Sequence, residues 1–364
     1  MAALASVPQT SRRLMPRLQA PHEMMRPRAP HEMMIRPSDA TPDYANAMMK
    51  PEPELEFEAL KLSDFDKVGD LGEGACGEAS RVLVRHRGSG AVFALKTAYY
   101  SDPNSEEEAE VLRRVGRSPH LVRCHAIFRG ADDEPAMLLE LMDAGSLGRV
   151  LRHRDHHGLP EPALAEVAAR CLAGLAHLHY ACRVAHLDLK PDNLLADGRG
   201  NVRIGDFSVS RILSRVPGDR LRVSVAVGST PYLSPERFAP NARAGPRGAC
   251  AADVWSLGVT VLELFSGRCP ILPGAQRTSW EMLKEAICCG KPPTVPEIAT
   301  ASASLRGFVD ACLQKDPKRR ATVAQLLAHP FVAGRDVESS RRSLREIIVE
   351  TMYEQGAKDR EERA

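Results

Sequence analysis

The sequence predicts an α+β chain of two lobes, a small one rich in strands followed by a larger helical one, and three observations carry that prediction. The 364 residues, 43% apolar and 26% charged, are globular in composition and long enough for two lobes or domains. After about Ser63 the pattern is that of strands: Val82 and Val84 alternate with charged residues, Gly88-Ser89-Gly90 makes a turn, and Val92 to Lys96 and Ala136 to Leu141 read as further strands. Beyond them Leu164, Val167, Ala168, Cys171, Leu172, Leu175 and Leu178 keep a 3.6-residue period, and the helix opening at Asp253-Val254-Trp255 is apolar almost all round, hence buried at the centre of the larger lobe.

Residues 1–62 differ in kind. They are rich in Pro and Met, lack apolar periodicity and read as a disordered tail. Two near-identical units, Ala20-Pro21-His22-Glu23-Met24-Met25-Arg26 and Ala29-Pro30-His31-Glu32-Met33-Met34-Ile35-Arg36, are too few for a solenoid and read as a small duplication. Arg12 and Arg13 beside Leu14 and Leu18 form a basic cluster with spaced aliphatics, suited to a partner with an acidic patch and an apolar groove; a solvated tail or a transit peptide is the alternative. The body then runs over 63–331, divided at 142/143, and 332–364 reads as a charged helical tail. A net charge of +2 demands neither nucleic acid nor an anionic membrane. The nine cysteines are scattered without a C-x-x-C pair, which suits free thiols in a reducing compartment. No apolar run reaches the roughly 18 residues of a membrane span, and Met1 to Pro8 is too short for a secretory core. The expectation is a monomer in the cytoplasm, with the nucleus as a second compartment.

Gly72-Glu73-Gly74-Ala75-Cys76-Gly77 has the G-x-G-x-x-G spacing that dinucleotide-binding proteins share. Its sequel decides, because a dinucleotide fold would open a helix where this chain continues into a hairpin that ends in a strand with Lys96 at its centre. This loop and lysine strand resemble those of protein kinases, which cover ATP phosphates with such a hairpin and grip them through the lysine. In that family the lysine needs a carboxylate from the next helix, and the spacing of Glu108 to Val111 and Leu112 matches the family pattern. Ser105 and Glu108 also form an S-x-x-E capping box, which is the competing use of that acid. Leu139 borders the expected adenine pocket, and Glu140 to Met142 offer backbone groups to the adenine edge. The resemblance implies a nucleotide site made of Leu71, Gly72, Glu73, Gly74, Ala75, Cys76, Gly77, Ala79, Ala94, Lys96, Glu108, Leu139, Glu140, Met142 and Leu195.

His186-Leu187-Asp188-Leu189-Lys190-Pro191-Asp192-Asn193, followed by Asp206-Phe207-Ser208, completes the set. From about Asp64 to Phe331 the chain resembles a eukaryotic protein kinase domain, with the bilobal fold that implies. The resemblance implies that Asp188 accepts the proton of the substrate hydroxyl, that Lys190 neutralises the transferring phosphoryl group, and that Asn193 and Asp206 hold Mg2+ beside ATP. His177 and His179 read as packing or surface residues. Asp253 is expected to bond the catalytic-loop backbone, Glu236 and Arg320 to form a buried ion pair, Thr322 to Gln325 to form a capping box, and Pro330 to act as a stop. Two positions depart from the family: Leu187 stands where most members have Arg, and Ser208 where they have Gly.

Ser118-Pro119-His120-Leu121-Val122-Arg123-Cys124-His125, Leu141-Met142-Asp143-Ala144-Gly145-Ser146-Leu147 and Tyr232-Leu233-Ser234-Pro235-Glu236-Arg237-Phe238 resemble MAP kinase kinases, particularly the plant type. This implies a dual-specificity enzyme acting on Thr and Tyr of a MAP kinase, an upstream MAP kinase kinase kinase, and a tail that docks the MAP kinase through Arg12, Arg13, Leu14 and Leu18. The positions implied for activating phosphates are Asp219 and Val225, neither a hydroxyl residue; Ser224 is the alternative phosphosite. Retention of Lys96, Asp188, Asn193 and Asp206 favours an active kinase. Ser208, at a position where Gly permits angles that cost Ser about 1 kcal/mol, and Ala79, smaller than usual over adenine, point toward a weak kinase or scaffold.

Overall fold

The computed structural model describes residues 60–73, 79–98, 104–130, 133–213, 221–222, 228–238, 243–271, 279–297 and 300–361. Arg12, Arg13, Leu14 and Leu18, the loop residues Gly74, Ala75, Cys76 and Gly77, and Asp219, Ser224 and Val225 lie outside them. Strands β1 (Phe65–Glu73), β2 (Ala79–His86), β3 (Val92–Ala98), β4 (Cys124–Arg129) and β5 (Pro135–Leu139) form one antiparallel sheet in the order β1-β2-β3-β5-β4. The β2–β3 turn closes at Gly90, whose φ of +72° suits glycine and whose N–H reaches the His86 carbonyl at 2.8 Å. The two-residue period of β3 then sorts its side chains. Phe93 and Leu95 join Phe65, Val84, Ala136 and Leu138 in a core, with Leu60 and Leu62 packed against it, while Ala94 and Lys96 face the other way.

Helix α1 (Ser105–Val115) links β3 to β4 and buries Val111, Leu112 and Val115, the predicted stripe. The helical lobe opens with β6 (Gly145–Ser146) and α2 (Leu147–His153), followed by α3 (Glu161–Ala176). Every residue of the predicted period from Leu164 to Leu178 is buried, and α3 continues into a π-helical turn, His177–Cys182, that ends at Arg183 with φ +57°. Short strands follow: β7 (Val184–Ala185), β8 (Leu194–Ala196), β9 (Val202–Ile204), β10 (Arg211–Ile212), β11 (Leu221–Arg222) and β12 (Arg243–Ala244). Pairings β7–β10 and β6–β8–β9 hold the two halves of the site loops.

Helix α4 (Pro246–Ser266) is the central element, buried along most of its length and closed by Gly267 at φ +80°. Among the described residues it alone is long and apolar enough to cross a membrane, but 72% of that apolar window is buried by the rest of the chain, as in a core helix. Helices α5 (Trp280–Cys288), α6 (Ala303–Cys312), α7 (Val323–Leu327), α8 (Pro330–Ala333) and α9 (Val337–Glu361) follow; α6 packs against α4, while α7, α8 and α9 pack against α3. The Thr322–Gln325 capping box is present in both directions. Pro330 stands two residues after Ala328, the C-cap of α7, where the expected stop belongs, and it also opens α8, where its fixed φ and missing N–H suit a first helical residue. The charged C-terminal segment is helical as expected and packs into the main core through Leu344, Ile347 and Ile348, with Arg335 and Arg341 reaching buried Glu166 on α3 at 3.2 and 3.3 Å.

The Arg320–Glu236 pair forms as predicted. The guanidinium has no exposed surface, bonds Glu236 at 2.7 and 2.9 Å and the carbonyls of Ala251 and Gln314 at 2.7 and 2.9 Å, and lies 5.3 Å from the Trp255 ring centroid. Glu236 keeps 21% of its side-chain surface exposed, so Arg320→Ala would strand a partly solvated acid and is expected to cost about 3 kcal/mol, the lower end for a broken buried pair. The reading is a lower urea midpoint. A loss under about 1 kcal/mol, the size of an exposed pair, would contradict the buried role.

Candidate active site

Lys96 is committed to two acids. Its ammonium donates to Glu108 Oε1 and Oε2 at 2.6 and 2.8 Å and to Asp206 Oδ1 at 3.0 Å. The capping-box use of Glu108 is not what forms: Asn104 flanks α1 without a side-chain cap, Ser105 lies inside the helix, and both Glu108 oxygens serve Lys96. Burial pulls the Lys96 pKa down, but Asp206 and Glu108 outweigh it and the net displacement is upward. Burial opposes ionisation of Asp206, and Lys96 and Arg81 overcome it to hold this carboxyl well below its ordinary range.

Arg81 is a site residue that the motif reading misses. Its NH2 donates to Asp206 Oδ2 at 2.8 Å. The signal that finds it is strand register, because Arg81 pairs directly with Lys96 across β2 and β3 and cross-strand partners share a face. Ser208 adjoins the Asp206 loop without using the angles reserved for glycine. The described non-glycine residues with positive φ are Asp133, Asp155, His156, Arg183, Leu187 and Asp206, so Ser208 avoids the left-handed region where its Cβ would be strained, and its side chain bonds Asp206 instead.

The catalytic loop is tied down from beneath. Asp253 Oδ2 accepts from His186 N at 2.9 Å and Oδ1 from Leu187 N at 2.7 Å, the structural bonding expected of it. His179 completes this anchor at 2.8 Å, whereas His177 meets the Val115 carbonyl at 2.9 Å. Both are packing histidines. The His186 ring reaches the Gly205 carbonyl at 3.1 Å and stands edge-on to Phe207, joining the catalytic loop to the Asp206 loop. Asn193 Nδ2 donates to the Asp188 carbonyl and to Asp188 Oδ2 at 2.8 and 3.0 Å, Lys190 Nζ lies 3.0 Å from that same oxygen, and Ser229 N donates to Asp188 Oδ1 at 2.6 Å. Ser229 is the second residue missed: its hydroxyl also accepts from Lys190 at 2.5 Å. Gly228, at φ +89°, brings it there, and a Cβ on Gly228 would lie 2.6 Å from the Leu187 carbonyl.

A cavity of about 350 Å³ collects Leu71, Ala94, Lys96, Glu108, Leu139, Glu140, Met142, Leu195, Asn193 and Asp206, with Arg81 among them. Gly72 and Glu73 end β1 and Ala79 opens β2, the strands that lead into and out of the glycine loop. The Glu140 carboxylate is not a ligand group: it accepts from Arg123 N at 2.5 Å and from Arg203, and the Glu140 N–H donates to the Arg123 carbonyl at 2.9 Å, so any ligand contact by this residue runs through its carbonyl. Asn193 turns its amide nitrogen toward Asp188, which leaves an amide oxygen, together with the Asp206 carboxylate, as hard oxygen donors. That donor set fits a divalent cation that takes its other ligands from phosphates and water. Among the described residues no group of three or more His, Cys, Asp or Glu forms a self-sufficient metal site.

Residues 65–332 match the family described as the protein kinase domain. The chain is 40% identical over 280 residues to mitogen-activated protein kinase kinase 9 of Arabidopsis thaliana, covering 75% of this chain and 86% of the relative, and 38% identical over the same coverage to kinase kinase 7 of that plant. It is also 33% identical over 284 residues to mitogen-activated protein kinase kinase 1c of Physcomitrium patens, covering 75% of this chain and 78% of the relative.

The His179–Asp253 anchor predicts a pH signature. Burial works against the imidazolium, but the bonds to Asp253 and Cys250 raise its pKa from 6.5 to about 9. A raised folded pKa means a contribution fully present below pH 6.5 and lost as pH climbs through about 9. Wild-type stability should therefore fall over that window relative to His179→Gln. Parallel stability–pH curves for the two proteins would show that His179 folds neutral.

Proposed function

We propose that this chain, which belongs to the protein kinase family and within it to the plant-type MAP kinase kinases, transfers the γ-phosphoryl group of ATP to Thr and Tyr in the activation loop of a MAP kinase. Phosphotransfer is the family's activity; the dual acceptor, Mg2+ as the metal, and the MAP kinase as substrate are our reading. The observation that carries it is the arrangement around Asp188, whose carboxylate is oriented by Ser229, Asn193 and Lys190 while the Lys96–Glu108 pair is closed and Asp206 faces the same cavity.

The acceptor hydroxyl gives its proton to Asp188 as its oxygen forms a bond to the γ-phosphorus and the bond to the ADP oxygen breaks. Lys190, bonded to both Asp188 and Ser229, offsets the negative charge that gathers on the phosphoryl oxygens. Lys96 orients the α- and β-phosphates, and the apolar walls from Leu71, Ala94, Leu139 and Leu195 take the base. Bound between Asn193 and Asp206, Mg2+ would neutralise the β/γ-phosphate charge. The scaffold alternative drew on Ser208, as a hindrance to loop flipping, and on Ala79, as a looser contact over adenine; against it stands the retention of Lys96, Asp188, Asn193 and Asp206 in bonded positions. An upstream MAP kinase kinase kinase is the implied activator, although Leu187 and Val225 favour a loop that needs little phosphate to order it.

Asp188→Asn should lower transfer from labelled ATP to a kinase-dead MAP kinase by about 10²–10⁴-fold, the usual worth of a positioned base. Wild type yielding no more product than this variant across a panel of MAP kinases would remove the enzyme reading.

For the tail, deletion of residues 1–20 should weaken MAP kinase association and leave activity on a generic peptide unchanged. The loss should shrink at high salt, where the Arg12 and Arg13 contribution is already screened. Equal affinity before and after deletion would exclude docking by this segment.

A further inference from the structure

Lys96 and Arg81 stand opposite each other in the sheet and meet the same carboxylate, yet they differ in what they have left to give. The three ammonium protons of Lys96 match its three contacts at 2.6, 2.8 and 3.0 Å, so a phosphate must displace one of them. Arg81 has five N–H donors in a planar fork, and among the described residues one acceptor, Asp206 Oδ2, engages that fork. Its side chain is 32% exposed against 4% for Lys96, and it lines the cavity.

Charge points the same way. Lys96 and Arg81 balance Glu108 and Asp206; without Arg81 the group would carry a net negative charge toward the ligand. An unmetallated triphosphate of about four negative charges would then face an acidic wall, the repulsion that a divalent metal ordinarily removes.

We propose that Arg81 is a cation built into the nucleotide site, bridging Asp206 and the triphosphate, so that this protein retains ATP binding when the divalent metal is withheld. Asp206 would hold the metal when one is bound, and the Arg81 fork would then be left for phosphate oxygens, which a guanidinium can meet in bidentate fashion. The inference rests on the nucleotide-site reading and not on which protein is phosphorylated.

The test is titration of the full chain with a fluorescent ATP analogue, in excess Mg2+ and in EDTA, for wild type and Arg81→Leu, with adenosine as a ligand that has no phosphate. Loss of a charge-assisted contact should raise the metal-free Kd of the variant about tenfold or more, with adenosine affinity unchanged. A metal-free Kd within about twofold of wild type would overturn the proposal. So would a parallel fall in adenosine affinity, because the pocket itself would then be damaged. Wild type that fails to bind the analogue even with Mg2+ would overturn the nucleotide-site reading and the Arg81 role together.

Discussion

A fully buried carboxylate on the central helix holds the active site in place. Asp253 has no exposed surface, and burial alone would drive it neutral; bonds from His179 and from the catalytic-loop backbone reverse that and keep its pKa below the ordinary carboxylate value. Two of those bonds come from consecutive amides, His186 and Leu187, which fixes the loop at the one point where it must bend. Leu187 takes φ +67°, a conformation that costs a branched L-residue roughly 1–2 kcal/mol, and its carbonyl is secured from the other side by Arg237 at 3.0 Å. Asp188 follows at once, so its orientation toward Asn193, Lys190 and Ser229 descends from an acid that touches no substrate.

Residues whose chemistry fixes both their type and their spacing were legible in the sequence. Lys96, Asp188, Asn193 and Asp206 occur in short runs where the backbone of a strand or tight loop dictates the interval, and the structure brings them to one site. Glu108 was ambiguous because an acid in the first turn of a helix serves a cap and an ion pair equally well; only the distance to Lys96 separates the two. Arg81 reaches Asp206 across 125 residues, and nothing near either residue announces the contact. Counting back from the Gly88–Gly90 turn would have placed it opposite Lys96, since hairpin register is local information. Ser208 has no positive φ, so the angles that a glycine would permit there are not used in this conformation. The missed role of Ser229 comes from a loop that returns to Asp188 from 41 residues away.

Leu187 shows what replaces an ionic device when its cation is gone. The side chain is buried with Ala185, Leu213, Ala249 and Ala252, with Cys250 packed against them, so that the catalytic loop, the strand after the Asp206 loop and the first turns of α4 share one apolar seat. Burial of a leucine there contributes about 1.5–3 kcal/mol, and the contact is indifferent to salt and to phosphorylation. An arginine placed at 187 would enter this seat as a charge among methyl groups, so restoring the family's usual residue would not restore a phosphate grip unless the seat were remade as well. The apolar seat at Leu187 and the absence of hydroxyls at Asp219 and Val225 are mutually consistent: where no cation stands at 187, a phosphate on that segment would find no grip there.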